Sequence, residues 1–535
     1  MGTKQYDSAT DLLTFSRASG GTALSKISYG NDLVTNGDGT TTDGWTTGGS
    51  IFTSDGSEFF INRNGAGVST GPRQAGILTI GKVYKVTADI ITLRNTFSVY
   101  MGSTTAAAEV KFTVVGLGQV RYVTATGADL FMQGTSSSAA TATIDNVSVK
   151  EVLFGQADGT LQVYNHPNNV PRIEYDATGA VKGLLIEEAR TNLMTYSNDF
   201  THSVWLKSLV SNTANAGVSP DGTSNANKVV PATDAGVHYT YQTLNRPNAD
   251  HSFSVYVASS GYGFATICAG THGSLNYYAI VIDLSDGTQT ALYSQGTHSK
   301  TVTVEPVGSY YRVTISGDGE KYYVVGASDT GTYTPSPYGF KSFSGDGTSG
   351  ILVYGAQTEA GAFPSSYIPT TGATATRARD LAEIPTSAFG YNNDQGSIAV
   401  EFKSNKPSSL SYGAFVLSDG SPANRIIHYA NSQYHRSFVG ADSSAQADLI
   451  AGSRGAPSEL VKFAIGFSDN NFAASLNGAT AVTDTSVTIP SGISKLALGY
   501  FYPTLPQSNL INGHIKSIQY YPRQLTDTQL QELTT

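Results

Sequence analysis

The chain has 535 residues, and at roughly 100–200 residues per domain it holds about three or four domains. Charged residues make up 14% of it, while Gly (57), Pro (19) and Tyr (31) are abundant, a profile of turn-rich β structure with an uncharged polar surface. The net charge is -9 and the 32 basic residues are scattered, so a nucleic-acid groove, which needs clustered cations, is excluded as the main site.

No apolar run reaches the roughly 18–20 residues of a membrane-crossing helix, so no membrane insertion is expected. The opening Met1-Gly2-Thr3-Lys4-Gln5-Tyr6 has no apolar stretch behind it, so no secretory leader is expected and synthesis is assigned to a reducing cytoplasm. Cys268 is the only cysteine, which rules out an intrachain disulfide or a multi-cysteine metal cluster.

In chain order, alternating apolar and polar residues bounded by turns predict strands at 83–90, 142–149, 253–257, 311–315, 350–357 and 397–402. Two segments repeat. One opens at Leu33-Val34-Thr35-Asn36-Gly37-Asp38 and reaches Trp45; the other opens at Met194-Thr195-Tyr196-Ser197-Asn198 and reaches Trp205. These are the two Trp of the chain, and their equivalent places argue for a shared core role. Between the copies, 171–186 reads as a hairpin around the turn 176–179. Near the end, Thr526 can cap a helix that sets Leu530 and Leu533 on one face. Many short strands with frequent turns predict an all-β, multi-domain protein of β-sandwiches or jelly rolls. The expected division is an attachment segment 1–30, a first sandwich 31–152, a hairpin connector 153–194, a second sandwich 195–377 and a third domain 378–535.

Motifs of catalysis are absent or accidental. Gly67-Val68-Ser69-Thr70-Gly71 fits a nucleophile elbow but lies between Asn/Gly and Gly/Pro loops. Gly345-Asp346-Gly347-Thr348-Ser349-Gly350 fits a phosphate loop but opens onto Ile351-Leu352-Val353-Tyr354, a strand rather than a helix. Nothing singles out a pair of catalytic carboxylates.

Four stretches resemble bacteriophage and prophage virion proteins of the tail-fibre or minor structural kind. They are Leu13-Thr14-Phe15-Ser16-Arg17-Ala18-Ser19, Pro171-Arg172-Ile173-Glu174-Tyr175-Asp176, Gly183-Leu184-Leu185-Ile186-Glu187-Glu188-Ala189-Arg190-Thr191-Asn192-Leu193, and Gly355-Ala356-Gln357-Thr358-Glu359-Ala360 running on through Phe363-Pro364-Ser365-Ser366-Tyr367. In such proteins the first two stretches lie close together; here about 150 residues separate them, which looks like an inserted module. The two repeats resemble carbohydrate-binding-module jelly rolls, and the C-terminal part is similar to concanavalin/laminin-G-like sandwiches. The resemblance implies a place on the virion, contact with host surface glycans and other virion proteins, and no enzymatic activity. A capsid fibre or decoration protein, a polysaccharide depolymerase and a spacer without glycan affinity are the alternatives. Multivalent display of weak sites implies a homo-oligomer, expected as a trimer, with Leu184-Leu185-Ile186 as an apolar contact between chains or domains.

Sugars present C–H faces to aromatic rings and hydroxyls to planar polar groups. Tyr239 and Tyr241, two apart, point to one face of a strand, and with His238 and Gln242 beside them form the expected sugar-facing strand, joined by Tyr277 or its neighbour Tyr278. The resemblance requires no cofactor but implies an optional structural Ca²⁺, for which Asn36, Asp38 and Asp145 would supply oxygens. In the second module, Asn198 and Asp199 correspond, but Gly355 is expected where Asp145 would fall. Arg425, His428, Tyr434, His435 and Arg436 form a further candidate ligand face, against a solvated loop as the simpler reading.

Overall fold

A computed structural model describes residues 13–48, 51–63, 70–94, 97–101, 108–112, 114–134, 140–156, 158–244, 250–270, 276–296, 299–318, 321–336, 339–501 and 509–535. It divides into two compact units, residues 26–160 and the remainder of the chain. The expectation of all-β sandwiches is met: nearly every element is an antiparallel strand.

In the 26–160 unit, one sheet joins Gly116–Thr124, Val83–Arg94 and Ala140–Phe154, with Phe59–Arg63 also paired on the last of these. The facing sheet runs Thr46–Gly48, Thr70–Gln74, Leu130–Gly134, Phe97–Met101 and Ala108–Phe112. Alternation along Val83–Arg94 sends Val86, Ala88 and Ile90 inward, where they meet Trp45, Phe59, Leu130 and Ile144. Of the nucleophile-elbow lookalike, residues 67–69 lie outside the described residues.

The second sandwich is a pair of six-stranded sheets. One runs Leu206–Ser208, Tyr239–Thr243, Tyr322–Ser328, Phe264–Gly270, Tyr277–Asp283 and Gln289–Gln295. The other runs Val210–Gly217, Ala226–Pro231, Gly350–Ala360, His251–Ser260, Tyr310–Gly317 and Lys300–Val307. The 345–350 segment is a turn, with the Asp346 carboxylate accepting from the Thr348 and Ser349 amides at 2.8 and 2.6 Å before the strand begins.

The third sandwich recruits chain from far outside 378–535. Thr14–Ser16 pairs with Leu381–Pro385 at the edge of one seven-stranded sheet. The hairpin Ile173–Tyr175 and Val181–Ile186 extends the other, through Leu184↔Ile515 and Ile186↔Gly513. Two expectations are thereby corrected. The hairpin is present, but it is part of the third sandwich rather than a connector. Residues 14–30 are strands and turns of the fold rather than a free attachment segment, while residues 1–12 lie outside the described residues. Leu184 and Ile186 sit in the core of the third sandwich with Phe402, Val416 and Ile465, and Leu185 is 3% exposed, so this run contacts its own chain. The C-terminal helix Asp527–Leu533 has the expected Thr526 cap, reinforced by Gln529 in a capping box, and lays Leu530 on Ala399, Ala464 and Ala473.

Candidate functional site

The two Trp mark matching corners of the two modules. Trp45 Nε1 donates to the carbonyl of Asn36 at 3.2 Å, and Trp205 Nε1 donates to that of Tyr196 at 3.0 Å. Asn36 and Tyr196 both have left-handed backbones, with φ of 48° and 49°. In the next residue each corner accepts from the closing strand: Gly37 O from Val147 N at 2.7 Å, Ser197 O from Ala356 N at 3.0 Å. These pairs align Val147 with Ala356, so Gly355 corresponds to Asn146, not to Asp145 as the sequence suggested. Both residues sit at a left-handed kink, φ 62° and 51°. Both Trp are buried, as expected.

The residues proposed for calcium lie in hydrogen-bonded local structure. Asn36 Nδ2 donates to Asp43 O at 2.8 Å, Asp38 Oδ1 accepts from Thr40 Oγ1 at 2.8 Å, and Asp145 Oδ1 accepts from Asn146 N at 2.7 Å. Asn198 Oδ1 accepts from Gly355 N at 3.1 Å and from Tyr367 Oη at 2.6 Å, and Asp199 Oδ1 accepts from Thr201 N at 3.1 Å. Among the described residues no group of three or more His, Cys, Asp or Glu gathers at one point.

The tyrosines expected to face sugar do gather on one outward sheet face. Sheet register places Tyr241, Val324, Cys268, Ala279 and Tyr293 in one row across four pairings. Tyr239, Tyr277, Tyr322 and Phe340 pack into the same cluster, with Phe340 5.0 Å from Tyr239 between ring centroids. Gly339 lies so close to the face that a Cβ there would stand 2.4 Å from that of Ala279. The segment carrying Gly339 and Phe340 therefore covers the middle of the row, leaving Tyr239 and Tyr277 buried and Tyr241 and Tyr293 half-buried, while Tyr278 turns the other way and packs on the inner core. His238 and Gln242 require correction. They occupy the opposite side of the strand, where the His238 ring nitrogens meet the carbonyls of Leu209 and Phe343 at 2.6 and 2.8 Å and Gln242 Nε2 donates to Thr195 O at 2.7 Å.

The C-terminal candidate face is likewise split by alternation. His428 and His435 point inward, Nε2 to Nδ1 at 3.1 Å, among Phe402, Phe415 and Phe463. Arg425, Tyr434 and Arg436 lie half-buried on the other side, where Arg436 holds Asp448 through two contacts of 3.0 and 2.7 Å.

Sequence reading missed a buried ionic cluster that joins the four resembling stretches to Arg377 and Asp380. Arg17, Arg172 and Arg377 surround Asp380 and Glu187, all at most 5% exposed. Arg17 Nη1 lies 3.2 Å from Asp380 Oδ1, Arg172 contacts the other Asp380 oxygen, and Arg172 Nη1 lies 2.9 Å from Glu187 Oε2. Ser366 from the fourth stretch donates to both Glu187 oxygens at 2.7 Å. Burial alone would raise the Glu187 pKa, but Arg377, Arg172 and the Ser366 hydrogen bonds bring it to about 2. The signal available was Arg17, Arg172 and Glu187, one charged member inside each of the first three stretches of a charge-poor chain.

No family model and no curated protein matches the chain. Among solved structures, the tandem CBM22-1-CBM22-2 domain of Paenibacillus barcinonensis Xyn10C is similar at 9% identity over 62% of this chain and 98% of that one, with a TM-score of 0.20. Domains LG4-5 of the mouse laminin α1 chain are similar at 11% identity over 55% and 90%, with a TM-score of 0.21. A Trypanosoma rangeli sialidase is similar at 8% identity over 91% and 83%, with a TM-score of 0.24. The fold assignment stands on the sheet topology above.

Proposed function

We propose that this protein is a non-enzymatic bacteriophage virion component, of the tail-fibre or receptor-binding kind, that contacts host surface glycans through its sandwich modules. The observation that carries glycan contact is the outward tyrosine face of the second module, where Tyr241 and Tyr293 end a row of small side chains with their rings partly exposed. Partly exposed rings suit sugar C–H faces in a chain short of charge. The virion setting is supported by the four resembling stretches, which meet in one buried cluster and so act as a common structural core. The partners on this reading are a host glycan and neighbouring virion proteins, with the chain as a homotrimer; no cofactor is needed.

The test is incubation of the full chain with a panel of bacterial surface polysaccharides. Retention of at least one polysaccharide, with its chain length unaltered, is the expected result. No retention would refute glycan contact, and shortened chains would refute the non-enzymatic reading. Labelling the protein on intact particles and imaging them tests the virion place separately.

A further inference from the structure

We propose that the cleft between the hairpin turn 176–179 and the strand pair Lys300–Val307/Tyr310–Gly317 binds a neutral saccharide; this rests on the glycan-contact reading and assigns it a second, different site. The cleft has a volume of about 370 Å³, within the roughly 300–1,000 Å³ of small-molecule pockets. Its floor is one packed apolar cluster, including Leu24, Val163, Tyr256, Val307 and Tyr367. Its walls carry Glu174, Lys182, Glu305 and Arg312. An apolar, aromatic floor under charged donors and acceptors matches the two sides of a sugar ring, C–H below and hydroxyl around the edge.

The charges decide between sugar classes. Glu174 lies 3.1 Å from Lys182 Nζ and also contacts His514; although burial opposes it, Lys182 and His514 hold this carboxyl well below the usual range, so it stays ionised. Asp176 spends one oxygen on the Thr178 and Ala180 amides of its own turn. Three carboxylates against two cations leave no positive surplus to attract a sialic or uronic acid, whereas hydroxyls find both donors and acceptors.

Arg312 is 9% exposed and is anchored through Nη2 to Ser254 Oγ at 3.0 Å and Ser365 O at 2.7 Å, which fixes the guanidinium in the wall of the cleft. Glu305 is exposed at the rim, and the Tyr256 ring lies 5.6 Å from the Arg312 guanidinium. Apart from the 176–179 turn and the Ser366–Tyr367 pair, the groups come from strands, which hold a site more firmly than loops.

The full chain is titrated by calorimetry and ligand-observed NMR with glucose, galactose, mannose, N-acetylglucosamine, lactose, maltose and sialyllactose. At least one neutral sugar is expected to bind, and Tyr256→Phe, which removes the hydroxyl of the floor, and Glu305→Ala, which removes the rim carboxylate, are each expected to weaken it about five-fold or more, the size of one lost hydrogen bond. Asp484→Asn, in an exposed turn of the third sandwich outside both sugar sites, should leave that affinity unchanged. Binding that survives both cleft substitutions, binding of sialyllactose alone, or no binding by any of these sugars would overturn the proposal. Polysaccharide retained equally by wild type and both variants would sink the cleft while glycan contact stands; no retention of any polysaccharide by the wild type would sink both. Glu305, being exposed, keeps the test valid if Tyr256→Phe disturbs folding.

Discussion

Replacing Asp380 by Asn leaves three buried guanidiniums, Arg17, Arg172 and Arg377, facing one remaining carboxylate, Glu187. Asp380 is fully buried; it lies 3.2 Å from Arg17 and 3.8 Å from Arg377, contacts Arg172, and accepts the Glu187 amide at 2.9 Å. Asn preserves volume and one acceptor, so the change isolates charge. Removing one partner of a buried ion pair costs about 3–5 kcal/mol, because the uncompensated charge stays in a low-dielectric site. The cluster ties residues 17, 172, 187, 366, 377 and 380 together, so the loss should destabilise the unit made of 1–25 and 161–535 and spare the 26–160 unit. Calorimetry of the full chain should show one transition displaced downward and another unmoved. Asp448→Asn, at the more exposed Arg436 pair, serves as the control and should cost about 1 kcal/mol or less. A cost for Asp380→Asn as small as that of the control, or equal displacement of every transition, would refute the reasoning.

Tyr239→Ala should cost roughly 3–5 kcal/mol of stability, the usual range for a buried aromatic ring, because the ring is 8% exposed and packed on Phe340, Tyr241 and Tyr322. A melting temperature within error of wild type would return Tyr239 to the list of sugar-facing residues. Trp205→Phe should cost about 2–4 kcal/mol, combining lost volume beside Phe200 with an orphaned Tyr196 carbonyl; denaturant titration of the full chain would show it as a shift of one midpoint.

How much was legible follows from the range of each interaction. Local rules were sufficient for the Thr526 helix cap, for the 345–350 turn and for the alternation of Val83–Arg94. The repeat was legible because Trp45 and Trp205 stand at the same point of each copy; its atomic content, an indole donating to a left-handed residue nine positions back, needed coordinates. Alternation also separates residue 238 from 239, so the placement of His238 and Gln242 beside the two tyrosines contradicted a rule that the sequence already supplied. What no local rule could supply is partnership across long stretches of chain. Arg17 and Asp380 are 363 residues apart, and the hairpin joins a sheet whose nearest partner strand begins at Gly513. The inserted 26–160 unit makes the break between Arg17 and Arg172 look like a loss of continuity, although both contact Asp380.

The His428–His435 pair makes stability depend on pH in a defined direction. Both rings are inside the third sandwich, 0% and 2% exposed. Burial, with a smaller contribution from Arg454, moves the His435 pKa from 6.5 down to about 4. Burial and then the neighbouring His435 hold His428 well below its ordinary value too. The unfolded chain takes up protons at these positions below about 6.5, while the folded chain resists until the pH approaches the lowered values. The stability attached to the neutral pair is therefore complete above about pH 6.5 and declines as the pH falls toward about 4. For His435 the span from 6.5 to about 4, at about 1.4 kcal/mol per pH unit, is on the order of 3 kcal/mol. Denaturant titrations at pH 7.5 and 5 should show the loss, while the imidazole resonances of both residues stay those of the neutral ring across that interval in the folded protein. Ionisation of either ring with a midpoint near 6.5 in the native state would show that the pair is open to water, and the burial argument for this core would fail.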